Sequence, residues 1–368
     1  MRRIFGGIAV ALGTALIVLG FLANPYLYDQ LSTIPLDQKP SISESGEQDC
    51  EAEENDCYTS RSEGTGMQVL RLWSQDQADG TKASRYDKLT DAHVRSTRTV
   101  IGIPGQVPDG ELNTTAVWQT GVKSEAVGVG PLTYSMEVVT FDRKTGEATG
   151  SSLDVRSAGD LDDPDKLEPV LHEGLFFKFP FDVQKQTYQF WDGDLGEPVD
   201  IEFVREENLY GTNTYVFAQK IPVGEVTTRT LPAGVFDATG DDVEAKVMYG
   251  NDRTLWVEPN TGVIIKGQEV LDKSLVSQFG TVYTTKGTIG YTEATVSANA
   301  ETWGSKGRLL GFVRDTLKPT ALIVGGLIVL GGLTLLLVPP RRRKPPTAAQ
   351  GLDGLGGLGT RRERSTTV

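Results

Sequence analysis

The chain has 368 residues, of which 36 are basic and 49 acidic, and its formal net charge is −13. Two cysteines are too few for a four-cysteine zinc site or a four-thiolate iron–sulfur cluster. The acidic balance argues against nucleic acid as a partner, because binding to phosphates needs a basic surface. The length allows one large domain or two smaller ones.

Two long apolar segments lie near the ends of the chain. Residues 4–23 contain no charge and follow Arg2 and Arg3, and residues 320–338 are followed by four basic residues at 341–344. Each segment matches the ~20 residues that a helix needs to cross a bilayer. Because the positive charges lie on the terminal sides, we expect both termini in the cytoplasm and the protein in the cytoplasmic membrane. A cleaved signal peptide is the alternative for the first segment, but its apolar run exceeds a typical signal core and no A-x-A site follows.

These segments divide the chain into five predicted regions. They are a cytoplasmic N-terminus (1–3), a transmembrane helix (4–23), an extracytoplasmic β-rich domain (24–319), a second transmembrane helix (320–338) and a disordered basic cytoplasmic tail (339–368).

Small residues suggest that the two spans pack together. Gly7, Ala11 and Ala15 recur every fourth position in the first span, and the second span contains Gly325, Gly326, Gly331 and Gly332. Small side chains let helix backbones approach closely in a membrane. We therefore predict contact between these faces.

The region between the spans is predicted to be rich in β-strands. Runs of β-branched and aromatic residues alternate with turn residues, at Thr99–Ile103, Thr114–Gln119, Thr133–Phe141, Thr187–Trp191, Thr214–Gln219, Leu255–Glu258 and Gly262–Val270. The fold class predicted is a β-rich α+β ectodomain with an antiparallel sheet, flanked by two transmembrane helices. A half-barrel and a pair of similar halves remain open as finer arrangements.

Two turns in this region look alike. Residues 141–147 and 257–263 each contain Thr-Gly, where a turn can use a positive φ, with β-branched or aromatic residues nearby. Their similarity is the basis for considering two similar halves.

Helices are expected in two places outside the spans. A short break is predicted between Pro164 and Gly174, limited by Pro169. A longer helix is predicted from Thr292 to Leu317, where apolar residues recur at spacings near 3.5 before the second span.

The two cysteines are predicted to form a disulfide. Cys50 and Cys57 lie in the region assigned outside the membrane, where disulfides persist. The loop between them is acidic, but its spacing fits no EF-hand, so we predict a solvated loop and no metal site.

No motif identifies a catalytic centre. The sequence has no G-x-S-x-G, H-E-x-x-H or Walker loop, and neither His93 nor His172 has a cysteine or serine partner in a motif. Carboxylates such as Asp192 and Asp194 could form a glycosidase pair only if they meet in space. We therefore predict no catalytic residue and no cofactor, and an enzyme is the less favoured class.

An aromatic stretch is the most unusual part of the chain. On a strand, Leu175, Phe177, Phe179 and Phe181 would share one face. With Tyr188 and Trp191, the three phenylalanines are the predicted ligand-binding residues, lining an apolar groove, and the alternative is a strand in a packed core.

The aromatic stretch and two other motifs carry a resemblance to a known family. Residues 177–188 with Trp191-Asp192, residues 255–263 and residues 291–296 resemble the actinobacterial PorA-like family of unknown function. The resemblance covers nearly the whole chain except the acidic cysteine loop and the tail, and the family supplies no catalytic residues. It implies an envelope protein of actinobacteria, with some members linked to assembly of mannose-containing lipoglycans.

These observations lead to a ranked set of functional hypotheses. The family name suggests a pore, but two helical spans and a large acidic ectodomain do not correspond to an outer-membrane barrel. The leading hypothesis is a non-enzymatic envelope factor that binds or presents a lipid or glycolipid during lipoglycan assembly. A scaffold for envelope-synthesis proteins is the alternative, and a carbohydrate-active enzyme is the third.

Overall fold

The computed structural model describes residues 1–42, 57–76, 82–157 and 166–338. These residues divide into two compact units. One unit extends from Val18 to Ala321, and the other combines Met1–Ile17 with the chain from Leu322 onward.

The larger unit is built on one antiparallel sheet of 12 strands, which is not closed. The strands are β1 (Ser60–Asp76), β2 (Lys82–Gly102), β3 (Thr115–Ala126), β4 (Gly130–Asp142), β5 (Val155–Ser157), β6 (Leu167–Pro169), β7 (Tyr188–Asp192), β8 (Glu197–Leu209), β9 (Thr212–Leu231), β10 (Val243–Val257), β11 (Ile264–Ser277) and β12 (Gly280–Tyr291). Their order across the sheet is β6-β5-β4-β3-β2-β1-β12-β11-β10-β9-β8-β7. Two meanders of consecutive strands therefore meet where β1 pairs with β12 in the middle.

The predicted strands overlap observed ones, but the observed strands are longer. β2 and β9 contain 21 and 20 residues. β1 was not predicted, and its pairing with β12 shifts register between Glu63 and Gln68, which breaks the regular alternation of side chains. The predicted helix between 164 and 174 is wrong in its described part, because Leu167–Pro169 pairs with β5 as a strand.

Both edges of the sheet end in short strands. β6 contains three residues including Pro169, and β7 contains five. Leu175 covers the outer side of β7, because its N–H donates to the Gln189 carbonyl at 2.8 Å and its carbonyl accepts from the Trp191 N–H at 2.8 Å.

The two turns that look alike in sequence also share their hydrogen bonds. In each, the carboxylate of the second residue accepts from the backbone N–H groups two and three positions later and from the hydroxyl of the threonine. These second residues are Asp142 and Glu258. Gly146 and Gly262 follow with φ of 78° and 74°, a region that glycine enters without steric cost.

The predicted helix before the second span is confirmed. Thr292 caps α3 (Glu293–Gly311), since its hydroxyl oxygen accepts from the Thr295 N–H at 3.3 Å. A π-helical segment at Phe312–Leu317 and α4 (Lys318–Leu337) follow directly. At the other end, α1 (Arg2–Leu22) continues through a π-helical segment (Ala23–Tyr28) into α2 (Asp29–Leu31).

Within the part of the chain that the structure describes, two helices are long and apolar enough to cross a membrane by length and composition. They are Arg2–Leu22 and the continuous 45-residue helix Glu293–Leu337. The apolar helices thus lie where the sequence places the spans.

The smaller unit is an antiparallel pair of helices that meet along buried glycines. A Cβ at Gly13 would lie 2.6 Å from the Gly325 carbonyl oxygen, and a Cβ at Gly6 would lie 2.9 Å from that of Gly332. The glycines in contact are seven residues apart on each helix. The predicted face on the first span is wrong: Gly7 meets nothing within 4 Å, because the seam lies one residue earlier and has a seven-residue period.

Within the larger unit, α3 lies directly against the sheet because its glycines leave room. A Cβ at Gly304 would enter the Thr212 side chain, and a Cβ at Gly307 would enter the carboxylate of Glu258. Val296 and Ala300 complete the contact by packing against Ile265.

We expect Gly307→Ala to lower the stability of the larger unit by about 1–3 kcal/mol, because the added methyl group must displace the hydrogen-bonded Glu258. Helix propensity alone predicts the opposite sign, a gain of about 1 kcal/mol. Urea unfolding in detergent, followed by circular dichroism, measures the change. Gly105→Ala is the control, since a Cβ there meets nothing within 4 Å. A midpoint for Gly307→Ala at or above that of the native chain would contradict the packing described.

We expect Gly13→Ile to separate the helix pair, because the side chain would meet the Gly325 carbonyl and Val329. Gly7→Ile adds the same bulk at a position with open space. Thermal melting in detergent micelles should show a lower midpoint for Gly13→Ile alone. Equal midpoints for the two variants would rule out the glycine seam.

Candidate functional site

Three adjoining cavities lie along the sheet of the larger unit. The aromatic cavity has a volume of about 380 Å³, the central cavity about 240 Å³ and the distal cavity about 210 Å³. Arg98 and Tyr291 line both the aromatic and central cavities. Ser96 and Glu269 line both the central and distal cavities. The three cavities are therefore neighbours that share wall residues.

The walls of the aromatic cavity are mainly large apolar side chains. Trp118 of β3 packs against Phe177 with ring centroids 5.2 Å apart, and its indole N–H donates to the Pro35 carbonyl at 3.1 Å. Phe181 and Trp303 of α3 also line the cavity. Because the indole of Trp118 is anchored by a hydrogen bond, this wall is fixed in position.

A single amine, that of Lys178, is buried at the aromatic cavity. Lys178 is 6% exposed, and its Nζ has no hydrogen-bond partner within the part of the chain that the structure describes. The Nζ lies 3.8 Å from the centroid of the Phe181 ring. Burial, partly offset by the Glu258 carboxylate, lowers the pKa of Lys178 to about 7.

The predicted common face of the aromatic stretch is wrong. Phe177 and Phe181 line the aromatic cavity, whereas Phe179 is 0% exposed and packs in the core with Leu175. The segment is not a regular strand: its backbone bonds to the second of the two similar turns, and Asp182 has a φ of 56°. Alternation by parity therefore does not apply to it.

The other two predicted ligand-binding residues lie away from the aromatic cavity. Tyr188 packs edge-on against Phe179 in the core, with centroids 5.3 Å apart. Trp191 is 4% exposed and lines the central cavity. Of the five predicted ligand-binding residues, Phe177 and Phe181 line the same cavity. That any of the five binds a ligand stays a prediction.

An ion-pair network beside the central cavity contains Arg253. Its guanidinium donates to Asp192 at 3.1 Å, to Glu269 at 2.6 Å and to Gln219 at 2.6 Å. The Tyr249 hydroxyl donates to Asp192 at 2.7 Å. Burial alone would raise the pKa of Glu269, but Arg253 holds it below its usual value. Asp192 is thus a paired internal anion, and this arrangement is structural.

A second buried cluster centres on His172. Its Nδ1 lies 3.0 Å from Asp154 and its Nε2 lies 2.9 Å from Glu137, which also lines the central cavity. His172 is 0% exposed and its ring lies 5.3 Å from that of Phe176. Burial opposes the charged imidazolium, but the hydrogen bonds to the two carboxylates together raise the pKa of His172.

The remaining candidates from the sequence are His93, the two cysteines and the tail. His93 is partly exposed and pairs with Glu63 at 3.2 Å. Cys57 is buried, but Cys50 lies outside the described residues, so the predicted disulfide is not shown. The tail at 339–368 lies outside them as well.

Sequence reasoning missed Lys178, although a signal was present. Lys178 is the one charged residue among the aromatic residues Phe176, Phe177, Phe179 and Phe181. A lysine inside an apolar run is buried unless its chain reaches the surface, and a buried lysine needs an explanation.

We expect the stability difference between the native chain and His172→Gln to depend on pH. The folded pKa of His172 lies above its unfolded value, so its charged hydrogen bonds contribute fully below about pH 6.5. The contribution is lost as pH rises through the folded pKa. Urea unfolding of both chains from pH 6 to pH 9 should therefore show a difference that shrinks with pH. His93→Gln is the matched control, and a difference that widens with pH would overturn the assignment.

Comparison with known proteins identifies the family. A family model described as Porin PorA matches residues 5–334. A protein named Porin PorA from Corynebacterium amycolatum is 25% identical over 313 residues, covering 73% of this chain and 77% of that protein. Porin PorA from Corynebacterium resistens (strain DSM 45100) is 25% identical over 187 residues, covering 37% of this chain and 45% of that protein.

These matches correct the functional predictions made from sequence. The relatives are named as porins, so the lipid- or glycolipid-presenting factor and its lipid binding are wrong, and the lipoglycan role is unsupported. Placement in the cytoplasmic membrane is wrong on the same ground, because the name points to a channel protein of the cell envelope. Membrane association agrees with the family, whereas envelope-synthesis partners are not shown. The resemblance itself is confirmed, and the chain belongs to the Porin PorA family.

Proposed function

We propose that this chain forms a solute channel of the cell envelope. The observation that carries the proposal is the family match, which extends over residues 5–334 and so includes both apolar helices and the sheet. Two relatives bear the name Porin PorA.

The channel is an assembly of several copies. Within the smaller unit, the backbones of the two helices approach so closely that a Cβ at Gly13 would lie 2.6 Å from the Gly325 carbonyl. A pair of helices in such contact encloses no water-filled path, and the outer faces of the pair are apolar, as at Ile8, Leu12 and Leu327. Because the helix pair leaves no path within itself, we place the pore between copies.

The antiparallel pairing of α1 and α4 supports one topology. Helices that cross in opposite directions return the chain to its starting side, so 1–3 and 339–368 share one side of the membrane and 24–319 lies on the other. On that side, the sheet forms a half-barrel of two similar halves around the three cavities. The shared hydrogen bonds of the turns at Asp142 and Glu258 support this arrangement.

The proposal predicts stepwise conductance when the full-length chain is added to a planar lipid bilayer. Flotation with vesicles measures incorporation into the membrane separately. A lack of conductance can then be distinguished from a lack of incorporation. Gly13→Ile should reduce the number of channels because it disrupts the helix pair, and Gly7→Ile should not. Incorporated native chain without conductance would rule out the channel.

A second experiment asks whether solute passes through the cavities. Ser96 lines both the central and distal cavities, so a bulky thiol reagent attached to Ser96→Cys should reduce conductance. The native chain treated with the same reagent and Thr227→Cys, at an exposed position, are the controls. Unchanged conductance after confirmed labelling at position 96 would place the path elsewhere.

A further inference from the structure

We propose that the aromatic cavity is a binding site for compact organic anions, in which the amine of Lys178 pairs with the anionic group and the aromatic walls contact an apolar ring. The inference goes beyond the proposed channel and does not depend on conduction. It rests on an unpaired buried amine, the charge of the cavity lining, and the shape and chemistry of its walls.

The Lys178 amine lacks the partner that a buried charge needs. The side chain is 6% exposed and its Nζ makes no hydrogen bond to any residue that the structure describes. An ammonium group presents three donors, and burying it without a partner is costly. The ring of Phe181 at 3.8 Å gives a cation–π contact, which leaves the hydrogen-bond donors unused.

The carboxylate of Glu258, whose charge acts on Lys178, is already hydrogen-bonded to other groups. The Glu258 carboxylate accepts from the Asn260 N–H and side-chain amide at 3.2 and 3.0 Å, and from the Thr261 N–H and hydroxyl, both at 2.7 Å. Its acceptor positions serve the turn. Glu258 therefore acts on Lys178 through its charge and not as a hydrogen-bond partner.

The lining of the aromatic cavity is positively charged in an acidic protein. Lys178, Arg98 and Lys306 line it, and no Asp or Glu does so among the described residues. Arg98 donates to the Thr120 hydroxyl at 3.0 Å, and Lys306 lies 4.2 Å from the ring of Trp303. The whole chain carries a net charge of −13, so the cavity is a local positive region in an acidic protein. This local charge favours anions as ligands.

The volume and walls of the cavity select the class of ligand. A volume of about 380 Å³ fits a molecule of one or two rings, at the small end of the range for ligand sites. Trp118 and Phe177 offer flat apolar surfaces, and Asn299 and Gln38 add polar groups. An aromatic carboxylate combines a ring that packs against these walls with an anionic group that pairs with the Lys178 amine.

Protonation of Lys178 should set the pH dependence of binding. Burial lowers the pKa of Lys178 to about 7, so the amine is mostly charged at pH 6 and mostly neutral at pH 8.5 before ligand arrives. The other charged or titratable groups at the cavity are Arg98, Lys306, Tyr291 and the neighbouring Glu258. Anion binding should therefore weaken as pH rises.

The test titrates the full-length chain in detergent with 1-naphthoate, with the uncharged 1-naphthamide as the matched probe. Trp118 and Trp303 line the cavity, so their fluorescence reports occupancy, and calorimetry confirms the affinity. We expect saturable binding of the carboxylate, at least tenfold tighter than the amide at pH 6. The affinity for the carboxylate should fall severalfold at pH 8.5.

The variant Lys178→Met keeps a similar length and removes the amine, so the chain should fold at least as stably. It should weaken naphthoate binding at least tenfold and leave naphthamide unchanged. Lys185→Met is the control, because Lys185 pairs with Glu206 outside the cavity. Should Lys178→Met fail to fold, Arg98→Gln provides the second variant, with a severalfold loss expected.

Two outcomes would overturn the proposal. One is equal affinity of the native chain for carboxylate and amide. The other is naphthoate binding unchanged in a folded Lys178→Met chain, or in Arg98→Gln if that variant is used. Binding of both probes to detergent micelles alone is measured without protein and subtracted.

Discussion

The buried carboxylate of Glu258 organises much of the larger unit. Its four hydrogen bonds to Asn260 and Thr261 hold the turn after β10 in one shape. The carbonyls of that turn then accept hydrogen bonds from the Phe179 and Val183 N–H groups, which fixes the aromatic segment. α3 rests on the same carboxylate at Gly307. One paired acid thus positions a turn, the wall of a cavity and the helix that leads to the second apolar segment.

Some of this arrangement is readable from the sequence because local chemistry determines it. The two Thr-Gly turns, the α3 cap at Thr292 and the apolar spans follow from glycine conformations, hydroxyl capping and length. These features depend on neighbours within a few residues, so a single sequence contains the necessary information.

Other features depend on contacts between distant residues and could not be predicted. The alternation of side chains predicted for a strand fails at Phe179. There the segment is held by the turn near Gly262, about 80 residues later in the chain, and not by hydrogen bonds to a neighbouring strand. The helix seam runs through Gly6 and Gly13 instead of Gly7 because the partner helix, not the spacing on one helix, selects the face. The motifs that carry the family resemblance proved to be structural. They identified the family correctly, although the function first derived from them was wrong.

The short edges of the sheet restrict how copies can associate. An exposed strand edge invites pairing with another chain, and proline and short edge strands prevent it. Here one edge is the three-residue β6 with Pro169, and the other is β7, already covered by Leu175. At these two outermost strands, another copy would therefore find little free backbone to pair with. β4 and β9 extend well past their outer neighbours within the described residues, so pairing between copies would have to use those longer stretches.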